Sequence, residues 1–206
     1  MLPPNSKEEK QEFFNWKNFL IWILLALIIR WQIIEPRWIP SGSMLPTLQV
    51  QDKILIEKIR PRLLKKLHHN LNYDEIIVFS PPQSLIDSGY DSRSDLIKRL
   101  VGLPGDTIEV SGGNLIRNQE LINEPWLNGE IQYEMNPVKV PEHQIWVLGD
   151  NRNNSLDSHI WGGLPEEKIV GTAIFRYWPL QNLGPIRFPT PNKIGDNDPV
   201  KVRFNT

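Results

Sequence analysis

The sequence predicts a mainly β protein that follows a single N-terminal transmembrane helix. One stretch, residues 19–29, is an unbroken run of apolar side chains. Eighteen prolines and eight tryptophans in 206 residues disfavour a helical bundle and favour a protein rich in strands and loops. A chain of this length can bury one hydrophobic core with a small additional subdomain.

The apolar run is predicted to anchor the chain in a membrane over residues 18–35, behind a polar, cytoplasmic lead formed by residues 1–17. As a helix, residues 19–34 would extend about 24 Å, slightly less than the ~30 Å hydrocarbon core of a bilayer. A cleavable signal peptide would need small residues soon after the run, where this chain has large and charged ones. A buried soluble helix remains the alternative, although the run has no polar face. Basic residues lie on both sides of the run, so they give only weak information on its orientation.

Runs rich in β-branched and aromatic residues, bounded by turn formers, predict the strands. The predicted strands are residues 52–58, 75–79, 96–100, 107–110, 114–117, 144–148 and 169–177. Gly112 and Gly113 separate two of them and predict a β-hairpin. Residues 83–94 show no periodicity, so we expect an exposed loop there. The basic stretch 60–69 is typical of a solvated loop, with anionic lipid headgroups as an alternative partner, and residues from 184 onward are expected to form a loosely ordered tail.

Charge and composition exclude several classes of function. The net charge is −1, and no long tract of one sign is present, which argues against a general nucleic-acid binder. The chain has no cysteine, so thiol nucleophiles, disulfide bonds and cysteine-based zinc sites are excluded.

Ser43 is a candidate nucleophile, and a serine hydroxyl needs a base within hydrogen-bond reach. Two of the four histidines, His68 and His69, lie in the basic stretch, and His143 precedes a predicted strand as a surface residue. Only His159, two residues after an aspartate, could complete a Ser-His-Asp triad, and its Gly- and Asn-rich surroundings favour a loop.

Lys98 is the alternative base, because it lies on a strand of apolar residues. A lysine has an ordinary pKa near 10.4, and burial among apolar side chains can lower the pKa by several units. Taken alone, however, a lysine on a strand is more often exposed to solvent. A serine near Gly and Pro, such as Ser43, is more often part of a turn.

Four segments together change that balance. They are residues 40–48 (PSGSMLPTL), 98–106 (KRLVGLPGD), 149–158 (GDNRNNSLDS) and 175–180 (FRYWPL). In their residues and their order they resemble the signature motifs of type I signal peptidases. The last segment is similar to the end of the catalytic core in cyanobacterial and plastid members. The chain is thereby identified as a member of that family.

The resemblance implies a membrane-bound serine endopeptidase that cleaves N-terminal signal peptides from exported preproteins after Ala-X-Ala-type sites. The catalytic domain would occupy residues 36–180 as a coiled, barrel-like β-sheet with a small β cap at about 108–143, followed by a tail over 181–206. It would lie on the periplasmic or lumenal side of a plasma or thylakoid membrane. The implied partners are signal peptides and the lipid bilayer, with no nucleic acid, no metal and no other cofactor.

The resemblance also implies roles for individual residues. Ser43 would be the nucleophile and Lys98 the general base, with the Ser41 hydroxyl completing an oxyanion hole. Ser155 would orient the lysine amine. The supporting polar network would consist of Arg99, Asp150, Arg152 and Asp157.

Substrate would bind as an added strand between residues 36–41 and 95–98. Small pockets that accept alanine and exclude larger side chains would be walled by Ile39, Pro40, Leu96 and Ile97.

The chain departs from the family pattern at three places. His159 stands where the family often has arginine, so a salt bridge to Asp157 would depend on pH. Gln51-Asp52 and Asp74-Glu75 each stand where the family has Gly-Asp.

Two other classes of protein remain alternatives. A self-cleaving Ser/Lys repressor-type peptidase would carry a DNA-binding segment where this chain has its apolar run. A membrane-anchored assembly module with a decayed site would be expected to have lost Ser43 or Lys98.

Overall fold

The computed structural model describes residues 16–58 and 71–186, without the side chains of residues 28–32. Its helices are α1 (Trp16–Ile33), α2 (Gln83–Asp87) and α3 (Ser158–Trp161). Its strands are β1 (Ile34–Trp38), β2 (Lys53–Glu57), β3 (Ile76–Phe79), β4 (Leu96–Gly102), β5 (Thr107–Ser111), β6 (Asn114–Arg117), β7 (Glu120–Leu121), β8 (Met135–Lys139), β9 (Gln144–Leu148), β10 (Leu164–Pro165), β11 (Ile169–Trp178) and β12 (Gly184–Pro185). The prediction of a mainly β fold is confirmed, and every predicted strand is present with small shifts at its ends.

The larger sheet has eight antiparallel strands in the order β1-β2-β11-β3-β4-β9-β10, with β12 paired to β11. β1 is an edge strand, paired only with β2 among the described strands. β4 pairs with β3 from Leu96, but its pairing with β9 begins only at Arg99. Among the described strands, the outer edge of β1 and the β9 side of Leu96–Lys98 are therefore backbone stretches without a partner strand.

The smaller sheet has four strands in the order β7-β6-β5-β8. β5 and β6 form the predicted hairpin, in which Gly112 and Gly113 have φ values of 56° and 78°. Positive φ at both central residues is the conformation that a two-residue hairpin turn requires and that glycine adopts readily. Buried side chains of β5 and β6 pack against Val101, Trp146 and Leu148, which ties the two sheets together.

α1 runs directly into the larger sheet. Ile34 and Glu35, which we expected inside the anchor, are the first residues of β1, because their backbones pair with Glu57 and Ile56. The last helical residue, Ile33, accepts a 3.0 Å hydrogen bond from the backbone N–H that follows β2. Within residues 16–58 and 71–186, no helix is both long and apolar enough to cross a membrane, so the expected transmembrane helix is not supported.

The structure corrects one element and shows a backbone conformation that favours glycine at two of the departures from the family pattern. The expected exposed loop 83–94 begins with α2, because Leu85 is buried against β3 and β4. Gln51 and Asp74, which stand where the family has glycine, have φ values of 72° and 70°, in the left-handed region that glycine favours.

Three expectations fall on parts of the chain that lie outside the described residues. These are most of the polar lead 1–17, the basic stretch 60–69 with His68 and His69, and most of the tail from 184 onward.

Candidate active site

Ser43 lies in a single 3-10 turn, Gly42–Met44, between β1 and β2. The neighbouring Met44 is fully buried in a cluster of core residues that includes side chains of β2, β3, β4 and β11, which fixes the turn. Ser43 itself is 8% exposed. The turn thus holds a serine hydroxyl at the boundary between the core and solvent.

Lys98 lies in the middle of β4 and is only 3% exposed. Its Nζ is 2.6 Å from Ser43 Oγ, a hydrogen-bonding distance across 55 positions of sequence. Burial lowers the pKa of Lys98 to about 8, while the carboxylates of Asp157 and Asp150 act in the opposite direction. About a tenth of the amine is therefore neutral near pH 7 and can accept the serine proton.

Ser41 lies on the solvent side of Ser43. Its Oγ is 3.4 Å from Ser43 Oγ, and the residue is exposed. A hydroxyl in this position is available to donate to a group that approaches Ser43 from solvent.

Arg99 and Asp150 form a buried ion pair directly beside Lys98. Arg99 donates from Nε to Oδ1 at 2.7 Å and from Nη2 to Oδ2 at 2.6 Å, and both side chains are almost fully buried. Arg99 also donates to the carbonyl of Asp74, and Thr47 donates to Asp150 at 2.5 Å. The pair thus links β4 to the segment that follows Ser43 and to the loop after β9.

Asp157 is the N-cap residue of α3 and is completely buried. Its Oδ2 accepts from the backbone N–H of Gly149 at 2.9 Å, and its Oδ1 lies 2.7 Å from His159 Nδ1. The imidazole stacks on the ring of Tyr133, with 4.3 Å between ring centroids. The carboxylate of Asp157 and the imidazole of His159 are therefore in direct contact. This contact is an ion pair only when the histidine is protonated.

Arg152 lies in the loop after β9 and is buried. It donates to both carboxylate oxygens of Glu124, to one of them at 2.6 Å, and its Nε donates to the carbonyl of Gly149 at 3.1 Å. Burial acts to lower the pKa of Arg152, but the adjacent carboxylate outweighs it and raises that pKa above its ordinary value. The guanidinium is therefore permanently charged.

Asn151, in the same loop, holds the nucleophile turn. Its backbone N–H donates to the carbonyl of Ser43 at 3.0 Å, and its side-chain amide donates to the carbonyl of Gly42 at 3.1 Å. The position of Ser43 thus depends on the loop that also carries Asp150, Arg152 and Ser155.

Ser155 is close to the site but does not hydrogen-bond to Lys98. Its Oγ is buried and has no hydrogen-bond partner among the described residues. It packs against Gly149, at a point where a Cβ on that glycine would overlap Ser155 Oγ and lie 2.5 Å from the carbonyl oxygen of Ser43. The structure thus brings Ser155 beside the dyad without joining it to the amine.

The four residues expected to wall the substrate pockets lie on different surfaces. Ile39 and Ile97 belong to one buried cluster with Met44. Leu96 packs on the opposite face of β4, with residues of β3 and α2, and Pro40 is exposed. Arg37 of β1 also pairs with Asp95 at 3.1 Å, across the space between the two open backbone stretches.

Comparison with known proteins decides the family. Residues 13–178 match the model of the family described as "Signal peptidase, peptidase S26". The chain belongs to this family. It is therefore a peptidase, and its reaction is the hydrolysis of a peptide bond.

Named signal peptidases are similar over most of the chain. "Probable signal peptidase I-1" of Synechocystis sp. is 42% identical over 170 residues, which cover 82% of this chain and 84% of that protein. "Signal peptidase I" of Leptolyngbya laminosa is 42% identical over 168 residues, which cover 81% of this chain and 80% of that protein. "Thylakoidal processing peptidase 1, chloroplastic" of Arabidopsis thaliana is 40% identical over 160 residues, which cover 76% of this chain and 46% of that protein.

The sequence did not single out several residues that contact this signal peptidase's site. Glu124 and Tyr133 reach Arg152 and His159 from the segment between β7 and β8, and Trp126 of the same segment stacks on Arg99 with the guanidinium 4.2 Å from the ring centroid. This segment has no periodicity. An isolated glutamate followed by proline and a tryptophan gave no signal for a contact with residues elsewhere in the chain.

Proposed function

We propose that the protein removes signal peptides from exported preproteins with Ser43 as the nucleophile and Lys98 as the general base. The observation that carries the proposal is the 2.6 Å contact between a buried, pKa-lowered Lys98 Nζ and Ser43 Oγ. With a pKa of about 8, about a tenth of the lysine is neutral near pH 7, against well under a thousandth for an unshifted amine. A neutral amine at hydrogen-bond distance is what a serine nucleophile requires.

The reaction follows from this geometry. The Ser43 hydroxyl transfers its proton to Lys98 as its oxygen attacks the carbonyl carbon of the substrate. The negative charge that develops on the carbonyl oxygen is stabilised by the backbone N–H of Ser43 and the hydroxyl of Ser41. Lys98 then gives its proton to the departing amine, and a water molecule activated by the same lysine hydrolyses the acyl-enzyme.

The supporting residues keep this arrangement in place. The ion pair of Arg99 with Asp150 fixes β4 beside the nucleophile turn, and Asp157 and Arg152 each hold Gly149. We assign Ser155 the role of a hydroxyl that approaches the Lys98 amine once substrate is bound, since its buried Oγ otherwise has no partner among the described residues.

We propose that substrate binds as a strand between the outer edge of β1 and residues Leu96–Lys98. Both stretches present backbone groups without a partner strand among the described residues. Because side chains alternate along a strand, successive substrate residues would face Ile39 and Ile97 on one side and Leu96 on the other, with Pro40 at the rim. Such walls suit Ala-X-Ala-type sites, because a small apolar pocket excludes larger side chains.

We also propose that α1 attaches the enzyme to a plasma or thylakoid membrane, with the catalytic domain on the periplasmic or lumenal side. The support is the exposed apolar surface of α1 between Trp16 and Leu27, where nine large apolar side chains are exposed around the helix. A surface of this kind is unfavourable in water and favourable in lipid. Flotation of the full chain with lipid vesicles tests this: Leu24→Asp should abolish flotation, and Leu121→Asp, at an exposed leucine of β7, should not.

One experiment tests the peptidase proposal. The full chain in detergent is incubated with a preprotein, and the new N-terminus is sequenced. We expect one cut after an Ala-X-Ala-type site, no cleavage by Ser43→Ala or Lys98→Ala, and normal cleavage by the controls Ser84→Ala and Lys139→Ala, which change an exposed serine and an exposed lysine. Cleavage by Lys98→Ala at the wild-type rate would contradict the assignment of the base.

A further inference from the structure

The smaller sheet supplies a carboxylate to the loop that holds the nucleophile turn. Glu124, in the segment between β7 and β8, receives two hydrogen bonds from the guanidinium of Arg152, 28 positions later in the chain. Both side chains are almost fully buried, at 4% and 3% exposure. A pair with this geometry is fixed in orientation, because two parallel hydrogen bonds leave the guanidinium no rotation.

The orientation of Arg152 matters because its third contact is on the catalytic loop. Its Nε donates to the carbonyl of Gly149, while the N–H of Gly149 donates to Asp157. The backbone two residues later, at Asn151, donates to the carbonyl of Ser43. A continuous set of hydrogen bonds thus joins Glu124 to the nucleophile turn.

A second contact from the same segment strengthens the connection. Asn153, next to Arg152, accepts from the N–H of Gln132 at 2.7 Å and donates to the carbonyl of Glu130 at 3.0 Å. The segment between β7 and β8 therefore hydrogen-bonds to two adjacent residues of the loop after β9, Arg152 and Asn153. Of these contacts, only the one from Glu124 places a negative charge beside the buried guanidinium of Arg152. Burying this cation without a negative partner would be strongly unfavourable.

We propose that Glu124 is a positioning residue of the peptidase reaction, which fixes Arg152 and through it the loop that holds Ser43 against Lys98. Glu124 hydrogen-bonds to Arg152 and to neither Ser43 nor Lys98. Its effect should therefore be on the rate of the chemical step rather than on substrate binding. The inference rests on the proposed Ser43/Lys98 reaction.

The test is Glu124→Gln in the full chain, with a preprotein substrate and with active sites counted by a serine-directed covalent probe. Glutamine keeps the size and loses the charge. We expect kcat per titrated site to fall by about tenfold or more, with KM within about twofold of wild type. The control Glu120→Gln, which changes an exposed glutamate of the same sheet, should match wild type. A lower number of active sites with unchanged kcat per site would show a merely structural role and overturn the proposal.

A double-mutant cycle identifies the route. If Glu124 acts through Arg152, then adding Glu124→Gln to Arg152→Gln should change kcat by less than about twofold. A tenfold further loss in that background would overturn the proposed route. Should Glu124→Gln not fold, Glu124→Asp decides by the same measurement: the shorter carboxylate should lower kcat by about threefold or more, and wild-type kcat would contradict the inference. Failure of the wild-type chain to cleave, by contrast, would refute the proposed function itself.

Discussion

Replacing Lys98 by methionine should abolish cleavage and make the protein more stable at neutral pH. Burial lowers the pKa of Lys98 from 10.5 to about 8. At about 1.4 kcal/mol per pKa unit, the folded protein loses about 3 kcal/mol by keeping this ammonium buried below pH 8. Methionine has a similar length, carries no charge and suits an apolar site. Loss of the hydrogen bond to Ser43 reduces this gain by about 1 kcal/mol. We therefore expect the free energy of unfolding to rise by about 2 kcal/mol near pH 7.

The sign of the pH dependence gives a second check. Between pH 8 and 10.5 the unfolded chain binds the Lys98 proton and the folded chain does not, so this group makes wild-type stability rise with pH in that window. The advantage of Lys98→Met should therefore shrink above about pH 8, vanish about 1.5 pH units higher, and become a loss of about 1 kcal/mol by pH 10.5. Burial and the carboxylate of Asp106 raise the pKa of Tyr73 to about 12, which also affects stability at high pH. That effect is common to both proteins and cancels in the difference.

The assay is urea unfolding of wild type and Lys98→Met in the same detergent, at neutral pH and near pH 10, together with the preprotein cleavage assay. Lys139→Met, at an exposed lysine of β8, is the matched control and should change neither stability nor cleavage by a measurable amount. A Lys98→Met protein that is no more stable than wild type at neutral pH, or whose advantage persists unchanged near pH 10, would refute the reasoning from burial.

Three further substitutions test other contacts. Gly149→Ala should abolish cleavage, because the added methyl group would overlap the carbonyl of the nucleophile, whereas Gly184→Ala, where the space is open, should cleave normally. Arg99→Lys should lower the free energy of unfolding by about 3 kcal/mol, since a lysine cannot form the two parallel hydrogen bonds of a buried ion pair; a loss below about 0.5 kcal/mol would show that the bidentate geometry is unimportant. Gln51→Gly should raise the free energy of unfolding by up to about 1 kcal/mol, because glycine adopts the positive φ without strain, and a decrease would contradict this.

The seven predicted strands were recognisable because runs rich in β-branched and aromatic residues are bounded there by turn formers. The hairpin at Gly112 and Gly113 was predictable for a related reason, since its turn needs positive φ at two adjacent residues. The start of β1 was not, because Ile34 and Glu35 continue an apolar run and only their pairing with β2 makes them a strand. Local sequence cannot report a partner that lies 20 or so residues away.

The candidate site divides in the same way. Ser43 and Lys98 could be named because each lies in a recognisable segment of sequence. Their approach to 2.6 Å depends on the pairing of whole strands, and no pattern near either residue encodes it. Glu124 and Trp126 were not identified, because the segment that carries them has no periodicity. Their roles depend on the arginines that the fold places against them, and the local sequence does not show which residues those are.

The direct passage from α1 into β1 has a consequence for where the enzyme can cut. No flexible linker separates helix from sheet, and the ion pair of Lys58 with Glu35 at 2.5 Å reinforces the junction. Ser43 is ten residues beyond Ile33, so it can lie at most about 35 Å from the end of the helix. With α1 in a bilayer, the nucleophile would be held at one height above the lipid surface. The enzyme would then cleave only peptide bonds that lie at this height above the membrane. Peptide bonds at other heights would not be cleaved, whatever their sequence.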